Sequence, residues 1–294
     1  MPSPSKHPDE RAGTPLKARL LLSFAVSSFC LGWGLWLLNR LGSHTGAWLL
    51  FFHNVPHSPI GLGERTAGWI LIFLAIAAWI PRWGTLVGLA GLLAAFDALI
   101  GTLIEGYAFA ELTLPAHGLR IAAPLTLALW LGFPASGGGK FLRAGSTILR
   151  LGTASVFAAH GLEAFMGHPG FQDFLIATFA SLGRLTLTET HVQPLLWGIG
   201  MMDLTIALAI LSRRLRPLLL FAAFWGLVTA FARVTSYGWS AYPEVLLRMP
   251  HVVAPLILWM MPAQLPLCVW RPLLCVLPSR LLAKASRSGK NSPS

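Results

Sequence analysis

The chain has 294 residues, 55% of them hydrophobic and only 11% charged, with a formal net charge of +11 and a mean hydropathy of +0.65. A soluble domain draws roughly a quarter of its residues from the charged set, so the polar shell that water demands cannot be built here and the surrounding solvent must be largely lipid. The basic excess does not point to nucleic acid, because Lys and Arg fall in short clusters between apolar runs and not along one face.

A helix crosses the hydrocarbon layer with about 20 mostly apolar residues. Runs of that kind lie at 20–38, 64–80, 84–104, 117–133, 149–166, 194–211, 217–235 and 249–265. The first follows a basic tail, yet it is longer than the core of a secretory signal and ends in Leu37-Leu38-Asn39-Arg40, a poor cleavage site, so it is expected to stay as a span. Between the first two runs, Trp48, Leu49, Phe51 and Phe52 suit a membrane interface. Pro81 and Pro217 mark helix ends, whereas Pro124 and Pro255 fall inside spans and are expected to bend them. Ala135-Ser136-Gly137-Gly138-Gly139-Lys140 reads as a flexible hinge. In the long loop at 167–193, Phe171, Phe174, Leu175, Thr178, Phe179 and Leu182 recur at helical spacing, the pattern of an amphipathic helix at the outer interface. The last stretch reads as a basic tail that sets topology, or as an interfacial helix over 264–283 that meets anionic lipid.

Eight spans put sixteen of the 22 Lys and Arg on one side, among them Lys17, Arg19, Arg82, Lys140, Arg143, Arg213, Arg214 and Arg216. Six fall on the other: Arg40, Arg65, Arg120, Arg184, Arg233 and Arg248. By the positive-inside rule both termini are cytoplasmic, as in a multi-pass protein of a plasma or inner membrane. An odd count would scramble this alternation.

Shifted by 131 residues, the halves line up. Arg19 meets Arg150, and Arg-Ile-Ala-Ala-Pro-Leu at 120–125 meets His-Val-Val-Ala-Pro-Leu at 251–256. The fold expected is therefore all-α, a polytopic membrane helix bundle of eight transmembrane helices in two four-helix repeats. An even number of spans per unit makes the repeats parallel. The organisation is a cytoplasmic tail at 1–16, a first unit at 17–134, a linker at 135–147, a second unit at 148–265 and a basic tail at 266–294.

An ionisable side chain at the bilayer centre costs about 2.5–3.5 kcal/mol on insertion scales. The second unit nevertheless carries His160 and Glu163 on one helix face, Asp203 in the next span, Arg233 near the end of span seven and His251 near the start of span eight. Two carboxylates, two imidazoles and a guanidinium can exchange protons or bind a polar headgroup. They can also form a buried ion-pair network in which Arg233 neutralises Asp203 or Glu163. The first unit has Asp97 and Arg120, a structural pair by expectation; at the 131 offset Phe29, Gly32 and Ile72 stand where the second has His160, Glu163 and Asp203. The second unit is thus expected to hold the site and the first to be scaffold. No metal site is expected: His53 and His57 have helical spacing, but Val55-Pro56 between them opposes a helix. Cys30, Cys268 and Cys275 form no C-x-x-C pair and read as small hydrophobes. No nucleophile elbow, phosphate loop or dinucleotide fingerprint is present.

The run Ile148-Leu149-Arg150-Leu151-Gly152, continuing through Val156-Phe157 to His160-Gly161 and Phe165, resembles the first helix of the DoxX-like membrane family. Arg150, His160-Gly161 and Asp203 sit where that family has its helix-one Arg, its His-Gly and an acidic residue in helix two, and 171–182 resembles its phenylalanine-rich loop. Members often carry Lys three residues after the glycine, where this chain has Ala164 beside Glu163. The resemblance covers about 145–265 and implies four-helix units; some relatives serve quinone-linked sulfur oxidation, while many have no assigned activity. Three functions follow as expectations. The first is a small-molecule or lipid-binding component or an accessory of a redox enzyme partner. The second is a quinone-linked oxidoreductase subunit, with quinone as cofactor held by His160 and Glu163 or Asp203. The third is a proton-coupled transporter.

Overall fold

The computed structural model describes residues 16–40, 42–104, 106, 108–132, 139–183, 186–212 and 216–261. The hinge at 135–138 and the tail from 262 onward, with Cys268 and Cys275, lie outside them. The described residues are helical throughout, with no strand among them. In order they form α1 (Leu16–Arg40), α2 (His44–His53), α3 (His57–Ala77), α4 (Gly84–Gly101), α5 (Thr113–Ala116), α6 (Gly118–Gly132), α7 (Lys140–Phe165), α8 (Pro169–Gly183), α9 (Glu189–Ser212), α10 (Arg216–Tyr237), α11 (Tyr242–Leu247) and α12 (Met249–Met260).

Among the described residues, six segments are long and apolar enough to cross a membrane: Leu16–His53, His57–Ala77, Pro81–Gly101, Ala110–Gly132, Thr190–Ser212 and Arg216–Tyr237. Their outward faces carry Phe24, Trp69, Phe73, Leu92, Phe96, Leu208, Phe224 and Phe231, all exposed, far more apolar surface than a water-soluble monomer displays. The chain is a multi-pass membrane protein. α7 has 26 residues, about 39 Å at 1.5 Å per residue, but Arg150, His160 and Glu163 dilute its apolar content. It tolerates them because α6, α9 and α12 pack around it and protein, not lipid, covers its polar face. α12 has 12 residues, ending where the described residues do.

The breaks follow local chemistry. Asn54 takes the left-handed conformation (φ 51°) that closes α2, and Pro56 then precedes α3, which begins two turns earlier than the apolar run at 64–80 suggests. His53 and His57 therefore lie on different helices. Pro81 opens a 3-10 turn before α4, and Pro217 is the second residue of α10, positions where the missing N–H costs nothing. Pro124 and Pro255 lie buried inside α6 and α12. The amphipathic stretch of the long loop is α8, whose Phe171, Leu175 and Ile176 pack on Ala164, Val192 and Leu196.

The order helix, short helix, two helices, 3-10 turn with short helix, and helix occurs over 16–132 and again over 140–260. α1 packs on α3 and α4 on α6; likewise α7 packs on α9 and α10 on α12. The halves meet where α1 lies against α11 and α12, and α7 against α5 and α6. Backbones approach closely at glycines, as in membrane helix pairs generally. A Cβ at Gly34 would meet Gly68 O at 2.8 Å and Ile72 Cγ1 at 2.9 Å; one at Gly161 would meet Gly200 O and Leu204 Cγ, each at 3.0 Å. The two contacts are alike: Gly34 stands to Gly68 and Ile72 as Gly161 stands to Gly200 and Leu204.

Candidate functional site

The polar side chains gather at the end of the bundle opposite the start of α1. His160 and Glu163 are neighbours on α7, with Nδ1 2.8 Å from Oε2. His251 of α12 lies beside them, its ring stacked on that of His160 with centroids 6.3 Å apart, and Phe171 of α8 packs edge-on against His160 at 5.8 Å. The Nδ1–H of His251 donates to the Arg248 carbonyl at 3.2 Å, while its Nε2 is buried without a hydrogen-bond partner. His160, Glu163 and His251 thus form one group across α7 and α12.

Arg233 does not neutralise Asp203 or Glu163. Its Nε lies 3.7 Å from Glu244 Oε2, and its guanidinium sits 4.1 Å above the ring of Phe174. α11 brings Glu244 back over the bundle end; Pro243 in its first turn and the extended Gly238 before it (φ 74°) permit that fold-back. Arg248, at the end of α11, lies within electrostatic reach of Arg233, Arg120, Glu244 and Glu163. Glu244 and Arg248 lie between α10 and α12, outside the long apolar runs in which intramembrane charge stands out in the sequence.

Asp203 stands apart. It is buried on α9, faces Trp225 of α10 and leaves Oδ1 without a hydrogen-bond partner. No hydrogen bond or ion pair among the described residues joins it to His160, Glu163, Arg233 or His251.

In the first half, Asp97 of α4 takes hydrogen bonds from α2. Thr45 N and Oγ1 donate to Oδ1, each at 2.9 Å, and His44 Nδ1 lies 3.1 Å from Oδ2. Glu64 of α3 grips the preceding residue, accepting from Ser43 N at 2.9 Å and Ser43 Oγ at 2.5 Å. The first N–H groups of a helix lack internal partners and carry partial positive charge, so two carboxylates at this turn hold α2 down by its start. His44 also meets the edge of His117, with centroids 5.4 Å apart.

Next to this turn lies a cavity of about 440 Å³. Its lining includes the aromatic Trp33, Trp36 and Phe51 and the polar His44, Asp97, Arg120, Glu244 and Arg248. Its walls come from α1, α2, α4, α6 and α11, so it opens at the junction of the halves and rests mainly on the first, the half expected to be scaffold. Trp33 and Trp36 supply aromatic surface from α1. Residues able to bind a charged head and residues able to bind an apolar body thus line one space.

Among the described residues, no group of three or more His, Cys, Asp or Glu side chains is placed to hold a metal ion. Comparison of the chain with protein-family models, with curated proteins and with solved structures finds no match.

Proposed function

We propose that the chain is an eight-span membrane protein of two parallel four-helix units that binds a small amphiphilic molecule or lipid at the outer end of its bundle. The span count is supported by the length of α7, by its central packing, and by the start of α12 at the same bundle end as α6. The repeat is supported by the recurring order of elements and by the matching glycine contacts of α1 with α3 and α7 with α9. The sidedness, with both termini cytoplasmic in an inner or plasma membrane, rests on the sixteen-to-six division of Lys and Arg. A relation to the DoxX-like family belongs to the same proposal. It is supported by Arg150, whose guanidinium donates to Ile210 O at 2.6 Å, by His160-Gly161 at the α9 contact, and by α8 between the first two helices of that unit.

One observation carries the binding reading: the cavity of about 440 Å³ brings two guanidiniums, Arg120 and Arg248, and two carboxylates, Asp97 and Glu244, together with the aromatic Trp33, Trp36 and Phe51. Its ligand has an anionic or electron-rich head and a flat or apolar body. The test is extraction of bound small molecules from protein purified in mild detergent, compared with the Arg248→Gln variant. An amphiphile enriched over bulk lipid in the parent and depleted in the variant supports the reading. A parent with the composition of bulk lipid, unaltered in thermal stability by added anionic amphiphile, overturns it.

A second reading, a quinone-linked oxidoreductase subunit with a redox enzyme partner, is favoured by the His160–Glu163 hydrogen bond beside the buried, unpartnered Nε2 of His251. A carboxylate-coupled imidazole can donate and recover a proton at a quinone oxygen. Quinone co-purifying with the protein and lost in His160→Gln supports it; a quinone-free protein that binds no added quinone excludes it.

A further inference from the structure

A second cavity, of about 320 Å³, lies on the other side of the Ser43–Thr45 turn. Leu37, Leu49, Ile60, Leu71, Leu93 and Phe96 make its walls apolar. Its polar lining is Ser43, Thr45, Asp97 and Glu64, the last only 7% exposed. Glu64 Oε1 is fully engaged by Ser43, but Oε2 is buried without any hydrogen-bond partner. Nearby donors are spent elsewhere: Thr45 N and Oγ1 on Asp97, and Gly46 N on Ser43 Oγ. No Lys or Arg among the described residues forms an ion pair with Glu64. A buried acceptor left unbonded is costly, and more so when it carries charge. An occupant of the cavity can bring the donor that the protein lacks.

We propose that this cavity binds a single-chain amphiphile whose head is a hydrogen-bond donor, a primary amine or an alcohol, with the head on Glu64 and the chain among Leu71, Leu93 and Phe96. The site goes beyond the function proposed above. Its charged lining is Glu64 and Asp97, whereas the first cavity sets Arg120 and Arg248 beside Asp97 and Glu244; Trp33, Ser43 and Asp97 border both spaces.

The test uses the full chain in phosphatidylcholine nanodiscs with two photoreactive probes, sphingosine and oleyl alcohol, each with a mid-chain diazirine. After irradiation, labelled peptides are mapped and labelling is titrated. Saturable labelling of 45–71 and 93–97, competed by the unlabelled parent molecule, is expected for at least one probe, and the probe that binds identifies the head. Glu64→Gln keeps an oxygen for Ser43 but removes the charge, and should weaken the amine by about tenfold or more while sparing the alcohol. Gly63 lines the cavity, and a side chain built there meets no atom within 4 Å. Gly63→Phe can therefore fold while filling the space, and should abolish labelling by either probe. Labelling that is non-saturable and equal on the outward-facing Trp69, Phe73 and Ile76, or that persists in Gly63→Phe, overturns the proposal even if Glu64→Gln fails to accumulate.

Discussion

Two glycines on α9, two residues apart, make opposite predictions for the same substitution. A Cβ at Gly198 meets no atom within 4 Å, whereas one at Gly200 would lie 2.7 Å from Gly161 O, 2.8 Å from Phe165 N and 3.0 Å from Phe165 Cβ. Either change to Ala gains about 0.8–1.0 kcal/mol of helix propensity. At position 198 nothing opposes that gain. At position 200 the helices must separate by roughly 0.7 Å before the 2.7 Å contact relaxes to an ordinary 3.4 Å, and a gap of that size forfeits about a quarter to a half of each facing dispersion contact. Overpacking of this kind costs about 1–3 kcal/mol, so Gly200→Ala should be destabilised on balance and Gly198→Ala neutral or slightly stabilised. The consequence reaches the site, since α7 carries His160 and Glu163 on either side of the Gly161 contact. Thermal unfolding in detergent, followed by size-exclusion of the surviving monodisperse fraction, measures both variants against the parent. A Gly200→Ala protein as stable as Gly198→Ala would refute the close α7–α9 approach.

Glu244→Gln strips the charge that faces Arg233 in a pair whose side chains are only 17% and 18% exposed. Removing one member of a buried pair costs about 3–5 kcal/mol when the other stays charged; since this contact is 3.7 Å long, the lower end applies, and thermal unfolding should show Arg233→Met with Glu244→Gln recovering part of the loss. Asp97→Asn weakens the hold on α2, so backbone amides of 43–47 should exchange hydrogen faster than in the parent while those of α3 stay protected; unchanged exchange at 43–47 would mean that Glu64 alone secures the turn. Glu163→Gln preserves volume but loses a charge-assisted hydrogen bond worth about 1.5–3 kcal/mol, and a chemical-denaturation midpoint equal to that of the parent would show the His160 contact to be energetically idle.

The lipid environment, the helical class and the positions of the helices were legible because each depends on neighbours close in sequence. Apolar content over about 20 residues decides whether a segment prefers hydrocarbon; Pro56, Pro81 and Pro217 stop or start helices through their own rings; the phenylalanine spacing of 171–182 shows an amphipathic face directly. His160 and Glu163 were paired for the same reason, three residues apart on one helix. Tertiary structure alone decided which charge answers which. Arg233 meets Glu244 because α11 folds back over the bundle end, Asp97 meets Thr45 because α2 packs on α4, and Trp33 and Trp36 share a cavity with Arg120 and Arg248 because α1 packs on α11 and α6. Coulombic and hydrogen-bond partners are chosen by distance in space, and in a bundle that distance is set by helix packing and loop return, to which hydropathy and spacing along the chain are blind.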